Sequence, residues 1–325
     1  MTPLSPSRVS PLLFRRLALA SAACYALLVV TGGAVRLTGS GLGCLDWPTC
    51  SQSHITPAVS FHPLVEFSNR MVSVVVTVVS IATFLSALAP RVRRRDLVWL
   101  SSGLLAGLAG QIVIGGIVVL TKLNPYWVAL HFLLTLAILA DAIVLYEHAA
   151  RGDRVVGHLV GPELRWLVRL LLATITALVM AGTTVTGSGP HAGGPGAQRI
   201  QLPFRDLAEL HADVALFLIG LTLATLFALR QARAPGSVQR RARTFLEILF
   251  VQGSLGYTQY FLHDNALVVG FHLAGATAAW TAIILLYLGL QRREASVPVP
   301  RHAGEATLER SEALAALAGS LGDAG

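Results

Sequence analysis

The chain has 325 residues, 54% of them hydrophobic and only 13% charged, with a formal net charge of +8. Its mean hydropathy of +0.64 excludes an ordinary soluble domain and makes an integral membrane protein the leading class. The positive charge is not a nucleic-acid footprint, because the arginines sit in short clusters between apolar stretches with almost no aromatics interleaved.

In chain order, residues 1–16 form an N-terminal tail carrying Arg8, Arg15 and Arg16. The tail is too short for a transit peptide and no small-residue cleavage site follows the first apolar run, so that run is expected to stay as a span. A bilayer crossing takes about 20 apolar residues. Eight stretches qualify: 17–36, 64–89, 97–120, 126–146, 165–187, 205–229, 243–262 and 266–290. Basic residues alternate between their loops. They precede the first span, follow the second as "RVRRR" (91–95), the fourth as Arg151, Arg154 and Arg165, the sixth as Arg230, Arg233, Arg240, Arg241 and Arg243, and the last as Arg292 and Arg293. The positive-inside rule then makes both termini cytoplasmic. The tail 291–325, with "EATLERSEALAALAGSLGDAG", reads as a short surface helix or disordered chain.

The second span opens "LVEFSNRMVSVVVTVV" (64–79), with Glu66, Asn69 and Arg70 at i, i+3 and i+4 on one helix face. A carboxylate near a helix N-terminus and an arginine snorkelling to the surface would account for two of the three as interfacial caps. Glu66 also suits acid–base work beside a bound group. Of the three cysteines, Cys24 lies within the first span as a small packing residue. Cys44 and Cys50, in the outside loop "GLGCLDWPTC", point to a disulfide in an oxidising compartment, with two free thiols the alternative.

The chain also echoes itself. "VRLTGSG" (35–41) ends the first span and "TVTGSG" (184–189) the fifth, Gln111 and Gln252 stand 141 residues apart, His131 and His272 likewise, and Asn69 and His211 142 apart. Four spans per half preserve orientation. The expected fold is therefore all-α, with eight transmembrane helices in two four-helix bundles related by a pseudo-twofold axis along the membrane normal. The halves are 17–147 and 165–290, joined by a cytoplasmic linker at 148–164.

Five of the ten histidines (54, 62, 148, 158 and 302) fall in loops, at a span end or in the tail, and His191 and His263 sit in outside loops where something could bind. His131, His211 and His272 each lie one to two turns inside the outer end of a span, about 8–10 Å deep. One such histidine alone would be a polar side chain bonded to a neighbouring helix. A symmetric pair, His211 and His272, is better explained as axial ligands of a haem iron. Its spacing is unlike a structural zinc site. The first half offers His131 but Asn69 in the matching place, which leaves one side of any haem there open.

With these residues in hand, the chain resembles the haem A synthase family (the CtaA/Cox15 type) over residues 17–290. The stretches that carry the likeness are "TGGAVRLTGSGLGCLDWPTC" (31–50), "VEFSNR" (65–70), "ALHFLL" (129–134), "VTGSGPHAGG" (185–194), "ELHADV" (209–214) and "GFHLAG" (270–275). The resemblance implies oxidation of the C8 methyl of haem O to a formyl group through hydroxylated intermediates, giving haem A for terminal oxidases in a prokaryotic plasma membrane. It implies His211 and His272 as ligands of haem b in the C-terminal half. In the N-terminal half it implies His131 as ligand to the substrate haem, Asn69 and Arg70 beside it, and Glu66 as the essential carboxylate. The Cys44–Cys50 pair matches the bridged pair of bacterial members. Haem O synthase and terminal-oxidase assembly factors are the implied protein partners, the lipid bilayer the medium, and nucleic acid is not a partner. The departure is Asn69, where the family pattern Glu-x-x-His has its histidine. The rival reading is a non-catalytic haem b cytochrome. A haem O synthase would need Asp-rich magnesium motifs that the sequence lacks. A transporter would break its helices nearer the midplane.

Overall fold

The computed structural model describes residues 9–44, 46–50, 56–89, 92–151, 154–194 and 196–294. Arg8, Arg91, His54, His302 and the surface-helix expectation for the tail lie outside the described residues. Eight long helices dominate: α1 (Pro11–Leu37), α2 (Phe61–Ala87), α3 (Arg95–Leu120), α4 (Pro125–Arg151), α5 (Pro162–Ser188), α6 (Phe204–Gln231), α7 (Gly236–Phe261) and α8 (Ala266–Leu288). The ends are set locally. Ser10 caps α1, its Oγ accepting from the Leu13 N–H ahead of Pro11, and Asn265 caps α8 by accepting from the Leu267 N–H.

Seven of the eight are long and apolar enough to cross a membrane, and the chain is a multi-pass membrane protein. The exception is α7, expected as a span over 243–262. Its apolar run is diluted by Glu247, Gln252, Tyr257 and Gln259, so composition does not qualify it. A second difference concerns the connection between the halves. Residues 154–158 and 291–294 form an antiparallel two-stranded ribbon, β1 (Arg154–His158) with β2 (Gln291–Glu294), pairing Arg154 with Glu294 and His158 with Gln291. The fold is thus helical with one small ribbon.

Within the first four helices, α1 meets α2 and α4, and α3 meets α2 and α4, closing a ring. Helices α5–α8 close the same ring, and the two rings meet through α1 with α8, α4 with α8 and α4 with α5. On α8, Trp280 donates its indole N–H to the Leu136 carbonyl of α4 at 3.0 Å. The turns repeat as well. Lys122 and Leu123 between α3 and α4, and His263 and Asp264 between α7 and α8, are paired left-handed residues 141 positions apart. Asn124 and Asn265, next along, each accept from the N–H two residues on.

We call the face bearing the start of α1 and the end of α8 the lower face. The tightest core lies toward it, built on Phe14, Leu104, Leu139, Leu171, Leu218 and Phe245, all shut from solvent. The upper ends of the helices pack less closely. There the loops after α1 and α5 interlock, with the Gly41 N–H donating to the Gly193 carbonyl at 2.8 Å and Gly39 close against Gly194. Gly39 (φ +67) and Gly193 (φ +106) need the left-handed freedom of glycine for these turns. Arg36, half-buried at the top of α1, donates to the carbonyls of His191 (2.6 Å) and Thr186 (2.7 Å) across the boundary between the halves.

Candidate functional site

The three deep histidines share one local arrangement. Each sits in the upper part of an even-numbered helix, with the Cε1–Nδ1 edge of its ring against a glycine of the preceding helix. A Cβ built on Gly115 would lie 3.2 Å from His131 Cε1, on Gly182 3.1 Å from His211 Cε1, and on Gly256 3.5 Å from His272 Cε1. The glycine lets each imidazole lie against main chain, and at Gly115 and Gly182 any other residue would crowd it, whereas at Gly256 a methyl would make ordinary contact. All three Nδ1 atoms are buried and lack a hydrogen-bond partner. The His211 ring comes near the Leu178 carbonyl and the His272 ring near that of Gln252, in neither case with hydrogen-bond geometry. With Nδ1 closed off, Nε2 is the nitrogen left for a ligand.

His211 and His272 face each other with ring centroids 6.4 Å apart and planes inclined at 68°. That is too far for the rings to bond to one another. Among the described residues no three His, Cys, Asp or Glu side chains gather as a metal centre. A single ion between these imidazoles would need a group that brings its remaining ligands.

In the first half, Gln111 donates its amide N–H to the His131 carbonyl (3.0 Å) and to Thr135 Oγ1 (2.9 Å), tying α3 to α4 below the imidazole. Its counterpart Gln252 lacks a bond at Nε2, having Ala276 where the first half has the Thr135 hydroxyl, and lies against Gly275. Asn69 Oδ1 is a further buried acceptor without a partner. Trp47 packs over Gly116, one residue along from the glycine that backs His131.

Glu66 and Arg70 act on the loop above. Glu66, 6% exposed, accepts the Cys44 N–H at one carboxylate oxygen (2.8 Å) and Arg70 Nη2 at the other (2.6 Å). Arg70 also donates toward the carbonyls of Asp46 (3.4 Å), Pro48 (3.3 Å) and Thr49 (3.1 Å). Its guanidinium is spent on the loop's main chain. Cys44 and Cys50 are joined by a disulfide with Cα atoms 4.3 Å apart. Cys24 is the free cysteine, part-buried in α1.

Several residues take roles that the sequence reading did not assign. His62 shares a hydrogen bond with Ser40 Oγ at 2.9 Å, and His191 Nε2 pairs with the Asp264 carbonyl at 2.6 Å, stitching the upper loops. At the lower face His148 stands between Asp96 (Nδ1···Oδ2, 3.0 Å) and Arg293 (Nε2···Nη1, 2.6 Å), with Arg94 also on Asp96. A histidine set down as a plain span end is therefore the pin that fastens β2 to α3 and α4. The nearby charges were the available signal, but their pairing depends on the ribbon.

Fold and side chains together define a polytopic helical membrane protein that holds imidazoles at one level inside its helices. Comparison with known proteins narrows this. Residues 15–192 match the family COX15-CtaA, described as cytochrome oxidase assembly protein, and the chain belongs to that family. It is 32% identical over 146 residues to the heme A synthase of Lysinibacillus sphaericus (strain C3-41), a stretch that covers 43% of this chain and 47% of that protein. It is 31% identical over 133 residues to the heme A synthase of an Exiguobacterium species (strain AT1b), covering 39% and 43%. The chain thus spans about half the length of the curated relatives it matches. The family match takes in Cys44, Cys50, Glu66, Asn69, Arg70 and His131, whereas His211 and His272 lie past its end.

Proposed function

We propose that this protein is a haem A synthase, which oxidises the C8 methyl of haem O to a formyl group through hydroxylated intermediates and delivers haem A for terminal oxidases. In this reading it is an oxidoreductase of the bacterial plasma membrane with both termini cytoplasmic. Eight helices cross the bilayer, α7 included, since at 26 residues it is about 39 Å long and packs between α6 and α8 as α3 packs between α2 and α4. Residues 17–147 form the substrate half and 165–290 the haem b half, related by a pseudo-twofold axis. The matching rings of helix contacts and the turns repeated 141 residues apart support that relation.

The observation that carries the reading is the set of three imidazoles at one level, each with Nδ1 shut against a helix and Nε2 free. For His211 and His272 the spacing adds weight. Two imidazoles that share one ion, with metal–nitrogen bonds of about 2.0–2.1 Å and ring centres about 1.1 Å beyond each nitrogen, would have ring centres up to about 6.3 Å apart. The observed separation is 6.4 Å. His211 and His272 would hold haem b, whose iron supplies one-electron redox chemistry when bound. His131 would hold the iron of the substrate haem, with Asn69, not a second imidazole, at the position on α2 that matches His211 on α6. Glu66 lies one turn above Asn69 on the same face. Anchored at both oxygens, it keeps a carboxylate and the 44–50 loop over that site. Arg70, expected as a neighbour of the substrate, acts here through the loop it holds. Haem O synthase and oxidase assembly factors remain the proposed protein partners.

The test is a haem extraction. The protein is produced in cells that make haem O but not haem A, and its haems are separated by chromatography. Haem A that disappears in Glu66→Ala is the expected result. Haem b alone, with haem O untouched, would refute the synthase and identify an electron-transfer cytochrome.

A further inference from the structure

Beneath the first-half site lies a second polar group that haem chemistry leaves unused. Asp141 sits in α4 ten residues past His131, about 15 Å lower along the helix. Its Oδ2 is buried without a hydrogen-bond partner, and no ion pair reaches it among the described residues. Room for it is made by Gly103 of α3, where a Cβ would come within 2.6 Å of Oδ2. The next residue, Leu104, offers its carbonyl to the Tyr25 hydroxyl at 3.4 Å, and Tyr25 shares a hydrogen bond with Ser80 Oγ at 3.1 Å. About one turn lower, Ser21 Oγ and Thr83 Oγ1 share another at 3.0 Å. All four hydroxyl residues are fully buried. Tyr25 is a titratable neighbour within electrostatic reach of Asp141, and the Cys24 thiol stands beside Tyr25 in turn.

An unpaired carboxyl among membrane helices is costly and is kept where it has a task. Packing does not require it, because the second half builds the same ring of helices with Ala282 in the place of Asp141 and Ala173 in the place of Tyr25. The acid and the phenol occur once, under the half that would hold the substrate.

We propose that Asp141 is a membrane-embedded proton-binding site, which exchanges its proton on the side of the buried Tyr25–Ser80 hydroxyl pair. The Tyr25 and Ser80 hydroxyls each donate and accept, so a proton handed through the pair leaves both as they began. Only Asp141 changes charge. The site's existence is independent of haem. Its use rests on the proposed oxidation, since taking a methyl carbon to a formyl carbon moves protons as well as electrons.

The test is infrared spectroscopy of the purified full-length protein in lipid nanodiscs, titrated with acid and exchanged into heavy water. The expected result is a protonated-carboxyl stretch that shifts on deuteration, is lost in Asp141→Asn and moves in Asp141→Glu. In Tyr25→Phe and Ser80→Ala the band should persist but deuterate about tenfold more slowly, the equivalent of about 1.4 kcal/mol on the barrier. A band unchanged in Asp141→Asn would overturn the proposal, and so would wild-type exchange in both hydroxyl variants. These readouts are blind to haem A production, so this proposal and the synthase reading fail separately.

Discussion

Removing the Glu66 carboxylate should release the 44–50 loop while the helices stay folded. The side chain makes two charge-assisted bonds, to the Cys44 N–H and to Arg70, in a site only 6% exposed. Hydrogen bonds to charged groups contribute about 1.5–3 kcal/mol each, so the two together amount to about 3–6 kcal/mol. Part is recovered, because the Arg70 side chain is 21% exposed and keeps its carbonyl partners in the loop. A net loss of about 2–4 kcal/mol in Glu66→Ala, confined to the loop, raises the open fraction roughly 30- to 1,000-fold. Glu66→Gln keeps an acceptor for Cys44 and should lie between. The assay is the rate at which a small water-soluble phosphine reduces the Cys44–Cys50 bridge, read by alkylation and mass spectrometry under conditions where the helical signal is intact. Reduction of Glu66→Ala at the wild-type rate would refute the clamp and return Glu66 to chemistry alone.

Three further outcomes are expected. Arg36→Met removes two short bonds to the His191 and Thr186 carbonyls and should cost about 3–5 kcal/mol, seen as a lower midpoint of thermal unfolding in detergent. Gly182→Ala brings a methyl to 3.1 Å from His211 whereas Gly256→Ala leaves 3.5 Å to His272, so the first should weaken haem retention about tenfold or more and the second little, measured as haem bound per protein. His272→Ala should abolish the paired-imidazole spectrum while leaving the Cys44–Cys50 bridge as resistant to reduction as in the wild type, since the loop is held from α2.

The apolar spans were legible because membrane crossing depends on composition and length, which local sequence states outright. The weak case was α7, where Glu247, Gln252 and Gln259 interrupt the run, and a reading by neighbourhood and a reading by composition part company there. The histidines could be singled out because a 141-residue recurrence raised them above chance, and their depth followed from helix rise alone. Their glycine backing was not legible. Gly115, Gly182 and Gly256 are three among many glycines, and only helix packing selects them. The bonds of Arg70 to the carbonyls of Asp46, Pro48 and Thr49 were hidden for another reason: main-chain acceptors carry no residue signature, so a loop folded back over a helix leaves no mark in the sequence. The ribbon of residues 154–158 and 291–294 was missed likewise, its strands being short, polar and far apart in the chain.

That ribbon also bears on how the molecule can be cut. Residues 291–294 pair with the crossing between α4 and α5, and Arg293 reaches the same His148 that Asp96 holds. A truncation that spares the ribbon therefore keeps the chain through Glu294, six residues beyond the last helix. A fusion joint or protease site placed right after Leu288 would strip the mid-chain crossing of its partner. A reporter attached past Glu294 leaves the knot tied.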